Sequence, residues 1–144
     1  MKIILQRVHS ASVKVQNVVV SQIQQGYLLY IGIGTDDNPE VIQQTARNIL
    51  KLRLMPDAEG KMGVNILDHG GDILAVSQFT LYADFSKGNR PSFHQAAAPE
   101  VARPLYEKFV RELEIGLGKK VAQGVFGADM EVTLCNAGPV TIIL

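Results

Sequence analysis

Ala75-Val-Ser-Gln-Phe-Thr-Leu81 is the stretch on which the fold turns. Four apolar side chains alternate loosely with two hydroxyls and a carboxamide, and with Ile73 and Leu74 ahead of it the segment reads as a central strand, Ile73 to Leu81. In a regular strand Ser77, Phe79 and Leu81 share one face while Gln78 and Thr80 share the other. Ser77 and Thr80 therefore meet one ligand only if the strand bends, or if backbone N–H groups replace side chains. The end of a strand offers such donors to a developing oxyanion.

Working outward, Asp68-His-Gly-Gly-Asp72 and Pro56-Asp-Ala-Glu-Gly-Lys61 are turn clusters, which makes the approach to this strand long and irregular. Before them, Asn38 caps a helix with Pro39 at its first position, and Val41, Thr45, Ile49 and Leu52, with Ile42, Ala46 and Leu50 beside them, form its apolar stripe. Tyr27-Leu-Leu-Tyr-Ile-Gly-Ile33 reads as a strand buried on both faces, with Gly32 and Gly34 marking close approach or the exit turn. At the N-terminus Ile3, Leu5, Val8, Ala11, Val13 and Val15 alternate with a break of phase near Arg7 to Ser10, as a bulged strand does. Gln16-Asn17 turns it into a partner strand, Val18 to Ile23.

Downstream, residues 83 to 98 form a long polar loop, so it is either functional or mobile. A second helix runs from Pro99 to about Leu117 with Leu105, Phe109, Val110 and Leu113 on one face, and Pro104 is expected to kink it or delay its start. Ala128 to Cys135 and Val140 to Leu144 read as two last strands joined by a turn at Asn136-Ala-Gly-Pro139. The order predicts an α+β fold: a twisted, mainly antiparallel, partly closed β-sheet or barrel with two packed helices, in one domain spanning 1–144.

The chain has 144 residues, 47% apolar and 19% charged, with fourteen basic and fourteen acidic side chains. That is a globular mixture, and its neutrality excludes coating a long polyanion by bulk charge, so a nucleic acid would have to be met by a local patch. One cysteine, Cys135, excludes an intrachain disulfide. The apolar opening Met1 to Leu5 is too short for a signal segment or a span, so the expected location is cytoplasmic, with no membrane.

His9, His69 and His94 lack metal-ligand spacing, and no metal or cofactor is expected. No nucleophile-elbow motif accompanies Ser77, and His94 has only loop geometry to recommend it as a base. Thr80 as a nucleophile competes with its being an ordinary β-branched strand residue. Gly138-Pro139 is open to a trans hairpin turn or to a cis peptide. Lys87, Gly88 and Arg90 suit phosphate contacts, helped by Lys119 and Lys120 if the fold brings them near, or are plain surface charge.

Taken together, Gln6-Arg7-Val8 with Ala11-Ser12-Val13, Asp57-Ala-Glu-Gly-Lys-Met62, Ser77-Gln-Phe-Thr-Leu81, Arg90-Pro-Ser-Phe93 and Asn136-Ala-Gly-Pro-Val-Thr141 resemble the D-aminoacyl-tRNA deacylases, in order and over the whole chain. The resemblance implies a homodimeric hydrolase that cleaves the ester joining a D-amino acid to the 3′ end of tRNA. It places Ser77, Gln78, Phe79 and Thr80 in the catalytic pocket of one subunit. Gly138 and Pro139, as a cis peptide braced by Arg7, reach in from the other subunit to select chirality. Phe126 would contact the terminal adenine, and Lys87 and Arg90 the tRNA.

Gly138 has no side chain, so its carbonyl can approach a substrate Cα and reject an L side chain by collision. Glycine offers nothing to reject, which predicts cleavage of glycyl-tRNA too. For the chemical step, attack by Thr80 to form an acyl-enzyme lacks an evident base. Water attack, with the terminal ribose 2′-hydroxyl orienting the water and N–H groups of Phe79 and Thr80 holding the oxyanion, is the favoured version. The rival readings are a non-catalytic module binding tRNA 3′ ends and a plain dimeric interaction protein.

Overall fold

The computed structural model describes residues 1–144. Its organising element is β1 (Lys2–Val15), whose side chains Ile3, Leu5, Val8, Ala11 and Val13 are buried, with breaks of phase at Gln6-Arg7 and at His9-Ser10. Gln16 and Asn17, at φ 50 and 63, turn the chain into β2 (Val18–Ile23), as expected for a two-residue hairpin. β3 (Gly26–Gly32) then continues along the same edge of β1, from Val8↔Gly26 to Lys2↔Gly32.

Asn38 Oδ1 accepts from the Glu40 and Val41 amides and starts α1 (Pro39–Lys51). Its buried face is Ile42, Ala46, Ile49 and Leu50, one step round from the predicted stripe, and Val41 is exposed. The irregular segment that follows holds a short hairpin, β4 (Met55–Pro56) with β5 (Met62–Val64), and a single turn, α2 (Ile66–His69). β6 (Asp72–Ser77) pairs with β3 in parallel, from Gly26↔Asp72 to Ile31↔Ser77. α3 (Pro99–Leu117) packs on α1, and β7 (Ala122–Gln123) pairs in parallel with β6. β8 (Glu131–Ile143) closes the order β8-β1-β2/β3-β6-β7 by pairing with the other edge of β1.

The α+β assignment and the nearly closed sheet stand, with the parallel ladders on β6 making the sheet mixed. Between the sheet and the helices lies the larger core, with Leu5, Tyr27, Leu29, Ile42 and Phe109 fully buried. A second cluster, Val8, Val13, Leu28, Leu74 and Val76, fills the opposite face. β3 and β6 are thus covered on both sides, which explains their continuous apolar sequence.

Three expectations are corrected. The central strand ends at Ser77, and Phe79–Tyr82 is one 3-10 turn. The chain's end is one long strand rather than two with a turn between them. Gly138-Pro139 lies inside it, as a cis peptide. Between the pairs Gln6↔Thr141 and Val8↔Asn136, four residues of β8 stand opposite Arg7 alone, so the ladder bulges where proline has no N–H to give. Finally, α3 begins at Pro99 and runs through Pro104, so that proline does not delay the start of the helix. No helix is long and apolar enough to cross a membrane.

Burial pushes the Tyr27 phenol up to about 12, and raises Tyr106 as well. Unfolded tyrosines ionise near pH 10, so the stability from keeping Tyr27 neutral is complete below pH 10 and is lost as pH rises through about 12. The urea midpoint should therefore fall steeply between those pH values, and Tyr27→Phe should flatten the fall. A decline of unchanged steepness in that variant would show that Tyr27 is not its source.

Candidate functional site

β6 carries Ser77 to the end of its parallel ladder, where the Gln78 amide donates to the Ile31 carbonyl at 2.7 Å. Gln78 then leaves the strand conformation (φ −147, ψ 80) and the 3-10 turn begins. Within it the Leu81 amide donates to the Gln78 carbonyl at 3.3 Å and the Ala83 amide to that of Thr80 at 3.0 Å. The amides of Phe79 and Thr80, first in the turn, have no acceptor in the chain. Two adjacent N–H groups are thereby left without an intrachain partner.

The turn is seated on β3 and its exit. A Cβ on Gly32 would lie 3.0 Å from the Gln78 carbonyl, and one on Gly34 only 2.4 Å from the Tyr82 hydroxyl. Both glycines therefore serve close approach. Lys2 clamps the turn from outside, donating to the Leu81 carbonyl at 3.1 Å with its ammonium 4.6 Å above the Tyr82 ring. Burial, with the charges of Asp37 and Asp36, pushes the Tyr82 phenol up to about 12.

Beside the turn opens a cavity of about 540 Å³, walled by 18 residues of which 13 are hydrophobic. Ser77, Gln78 and Phe79 form one side, the start of α3 another, and the loop Phe126–Met130 a third. Asp129 is its one charged wall residue. Phe79 and Phe93 meet edge to face at 4.9 Å. Tyr106, buried, donates to the Ala75 carbonyl at 3.0 Å, which fixes its ring 5.8 Å from that of Phe126. The site can thus enclose a flat or apolar group and present amide donors to an oxyanion.

Of the predicted residues, Ser77, Gln78, Phe79 and Phe126 line this cavity, and Thr80 stands next to them outside its wall. The Thr80 hydroxyl accepts from the Gln78 carboxamide and has no histidine or carboxylate in hydrogen-bond contact. Arg7 belongs to a second place: its Nε donates to the Ala137 carbonyl at 3.1 Å and its Nη1 to the Leu54 carbonyl at 2.6 Å. Gly138 beside it has φ +123, and a Cβ there would sit 2.9 Å from Arg7 Nη2. Gly138 and Pro139 are exposed and contribute nothing to the cavity of their own chain.

Lys87 and Arg90 are exposed near the tip of the long loop, without ion pairs. Lys119 instead pairs with Asp72 at 2.6 Å and Lys120 with Glu114 at 3.3 Å, so their charges are engaged elsewhere. His94 Nδ1 lies 3.2 Å from Ser92 Oγ and 3.9 Å from Asp84, not against Ser77. Hydrogen bonds from the Ser86 amide and hydroxyl hold the Asp84 carboxyl below its usual range, with a further contribution from His94.

Tyr106, Tyr82 and Asp129 escaped the sequence reading. The burial of Tyr106 was within reach, because it falls on the helical stripe Ala102, Tyr106, Phe109, Leu113, but its place on the cavity wall was not. Asp129 carries no such periodic signal.

Residues 4–144 match the family model described as D-Tyr-tRNA(Tyr) deacylase. The chain is 49% identical to the D-aminoacyl-tRNA deacylase of Flavobacterium psychrophilum, over 100% of this chain and 96% of that one. Among solved structures it resembles a c-Myc DNA unwinding element binding protein, with TM-score 0.93 and 39% identity over 100% of this chain and 97% of the other. It also resembles a probable eukaryotic D-amino acid tRNA deacylase, with TM-score 0.88 and 20% identity over 99% and 97%, a likeness of fold.

Gly34→Ala should displace the Tyr82 ring and with it the turn. In alkaline titration followed by phenolate absorbance, the transition that Tyr82→Phe removes should move from about 12 toward 10 in Gly34→Ala. An unmoved transition would mean that the turn does not depend on this contact.

Proposed function

The chain belongs to the D-Tyr-tRNA(Tyr) deacylase family and is a hydrolase of D-aminoacyl-tRNA, and from that premise we propose that the cavity beside Phe79–Tyr82 receives the aminoacylated 3′ end and that water cleaves its ester there. The observation that carries this reading is the pair of unpartnered amides at Phe79 and Thr80 next to the cavity wall. As water adds to the ester carbon, the carbonyl oxygen gains charge, and two fixed N–H donors stabilise it without reorganising. The tetrahedral intermediate collapses by breaking the bond to the ribose 3′-oxygen, which takes up a proton. The products are the free D-amino acid and tRNA with a 3′-hydroxyl. The terminal ribose 2′-hydroxyl orients the attacking water.

Thr80 serves this chemistry through its backbone. Its hydroxyl is occupied as an acceptor from Gln78 and has no base to take its proton, which counts against an acyl-enzyme. Ser77, half-buried in the wall, and Gln78 shape the place where the ester sits. Phe126 faces the terminal adenine, and Lys87 and Arg90 meet the tRNA further out.

Chirality is read by Gly138-Pro139 of a second copy. These residues are exposed on their own chain and absent from its cavity, while Arg7 holds the Ala137 carbonyl next to them. Homodimerisation would therefore complete the site, with the Gly138 carbonyl standing where an L side chain would go. A substrate without a side chain escapes that wall, so glycyl-tRNA is cleaved as well. No span-forming helix stands against work on tRNA in the cytoplasm.

Thr80→Ala keeps the backbone donors. It should retain most of the activity on D-tyrosyl-tRNA, with no acyl-enzyme trapped in the parent by rapid acid quench; abolished turnover together with a trapped adduct would overturn water attack. In parallel assays the parent should cleave D-tyrosyl- and glycyl-tRNA and leave L-tyrosyl-tRNA intact. Cleavage of the D-ester with glycyl-tRNA untouched would count against a backbone wall.

A further inference from the structure

Among the cations of this chain, Arg103 has a distinctive position. It lies on α3 next to Ala102, a wall residue of the cavity, and its guanidinium sits 5.1 Å from the ring centroid of Phe126, another wall residue. The other cation over a ring, Lys2, touches Tyr82, which is not part of the wall.

Helix spacing offers Arg103 two acids, Glu100 three residues before it and Glu107 four after it. It pairs with neither, and Asp129 is not its partner either. The side chain is exposed and lies against the aromatic ring instead. A guanidinium lying over a ring keeps its five N–H donors free to reach outward. Arg103 accordingly combines a fixed position at the cavity rim with a full set of unspent donors for an anion.

We infer that Arg103 is a phosphate-contacting residue for the substrate: it grips the phosphodiester leading into the terminal nucleotide, while its stacking sets the Phe126 ring beside which that nucleotide lies. This rests on tRNA as the substrate. The chemistry fits, since a planar fork binds phosphate oxygens bidentately and a neutral chain must concentrate its positive charge where the polyanion enters. Lys119 and Lys120, tied to Asp72 and Glu114, are not free for that task.

The test compares the parent with Arg103→Gln and Arg103→Lys on D-tyrosyl-tRNA and on D-tyrosyl-adenosine, which has no phosphate, alongside the salt dependence of binding to uncharged tRNA. Arg103→Gln should lose about tenfold in kcat/KM on the tRNA ester, mainly through KM. Its binding should depend less steeply on salt, by about 0.7 in the log–log slope for one lost single-strand phosphate contact. Arg103→Lys should recover part of both, and the loss should be several-fold larger on the phosphate-bearing substrate than on D-tyrosyl-adenosine. An equal loss on both esters with an unchanged salt slope would reduce Arg103 to packing support for Phe126 and overturn the inference. If instead the parent cleaved neither ester, the deacylase reading would fail, while the slope of tRNA binding would still decide whether Arg103 meets a phosphate.

Discussion

β1 is hydrogen-bonded along both of its edges, and both parts of the proposed site hang from it. On one edge it holds β3, which holds β6, whose last residue releases the 3-10 turn with its two unpartnered amides. On the other edge it holds β8, and the bulge opposite Arg7 sets Gly138 and Pro139 facing solvent. A strand covered by buried side chains and paired on both sides has little freedom to shift register, because a slip of one residue would turn Ile3, Leu5 and Val8 out of the core. The precision of the site is in this sense inherited from a ladder some distance from it.

Much of this was legible in the sequence. The alternation of β1 with its phase break, the Gln16-Asn17 turn, the Asn38-Pro39 helix start and the doubly buried Tyr27 to Ile33 run each follow from local patterns with a direct physical cause. What was not legible depended on long-range pairing. Residues 73 to 81 look like one strand because Phe79, Thr80 and Leu81 are good strand formers; the 3-10 turn arises because Gly32 and Gly34, distant in sequence, leave room for Tyr82 to pack down. At the other end, Asn136-Ala-Gly-Pro139 has turn composition, yet it stays in β8 because the register against β1 absorbs the extra residues.

The same distinction applies to the site. Ser77, Gln78 and Phe79 could be named from one short motif, and the structure gathers them with Phe126 around one cavity. Tyr106 and Arg103 could not be placed there from composition, since each sits on a helix that reads equally well as ordinary packing and solvated charge. Their positions follow only when α3 docks across the sheet, Tyr106 donating to Ala75 from within and Arg103 lying over Phe126 from outside.

The arrangement divides the work in a way that suits an activated ester. Hydrolysis of such a bond needs a held water and a place for the oxyanion rather than a strong nucleophile, and in the proposed mechanism backbone amides would provide that place with no titratable group to tune. Selection against L residues needs a rigid obstacle, which flexible side chains supply poorly and a glycine carbonyl supplies well. Since the proposed obstacle is exposed and absent from the wall of its own chain's cavity, catalysis and discrimination would reside on different chains, and a lone subunit would have the oxyanion donors without the chiral filter. On the proposed arrangement, assembly would be the step that makes the hydrolase selective rather than the step that makes it reactive.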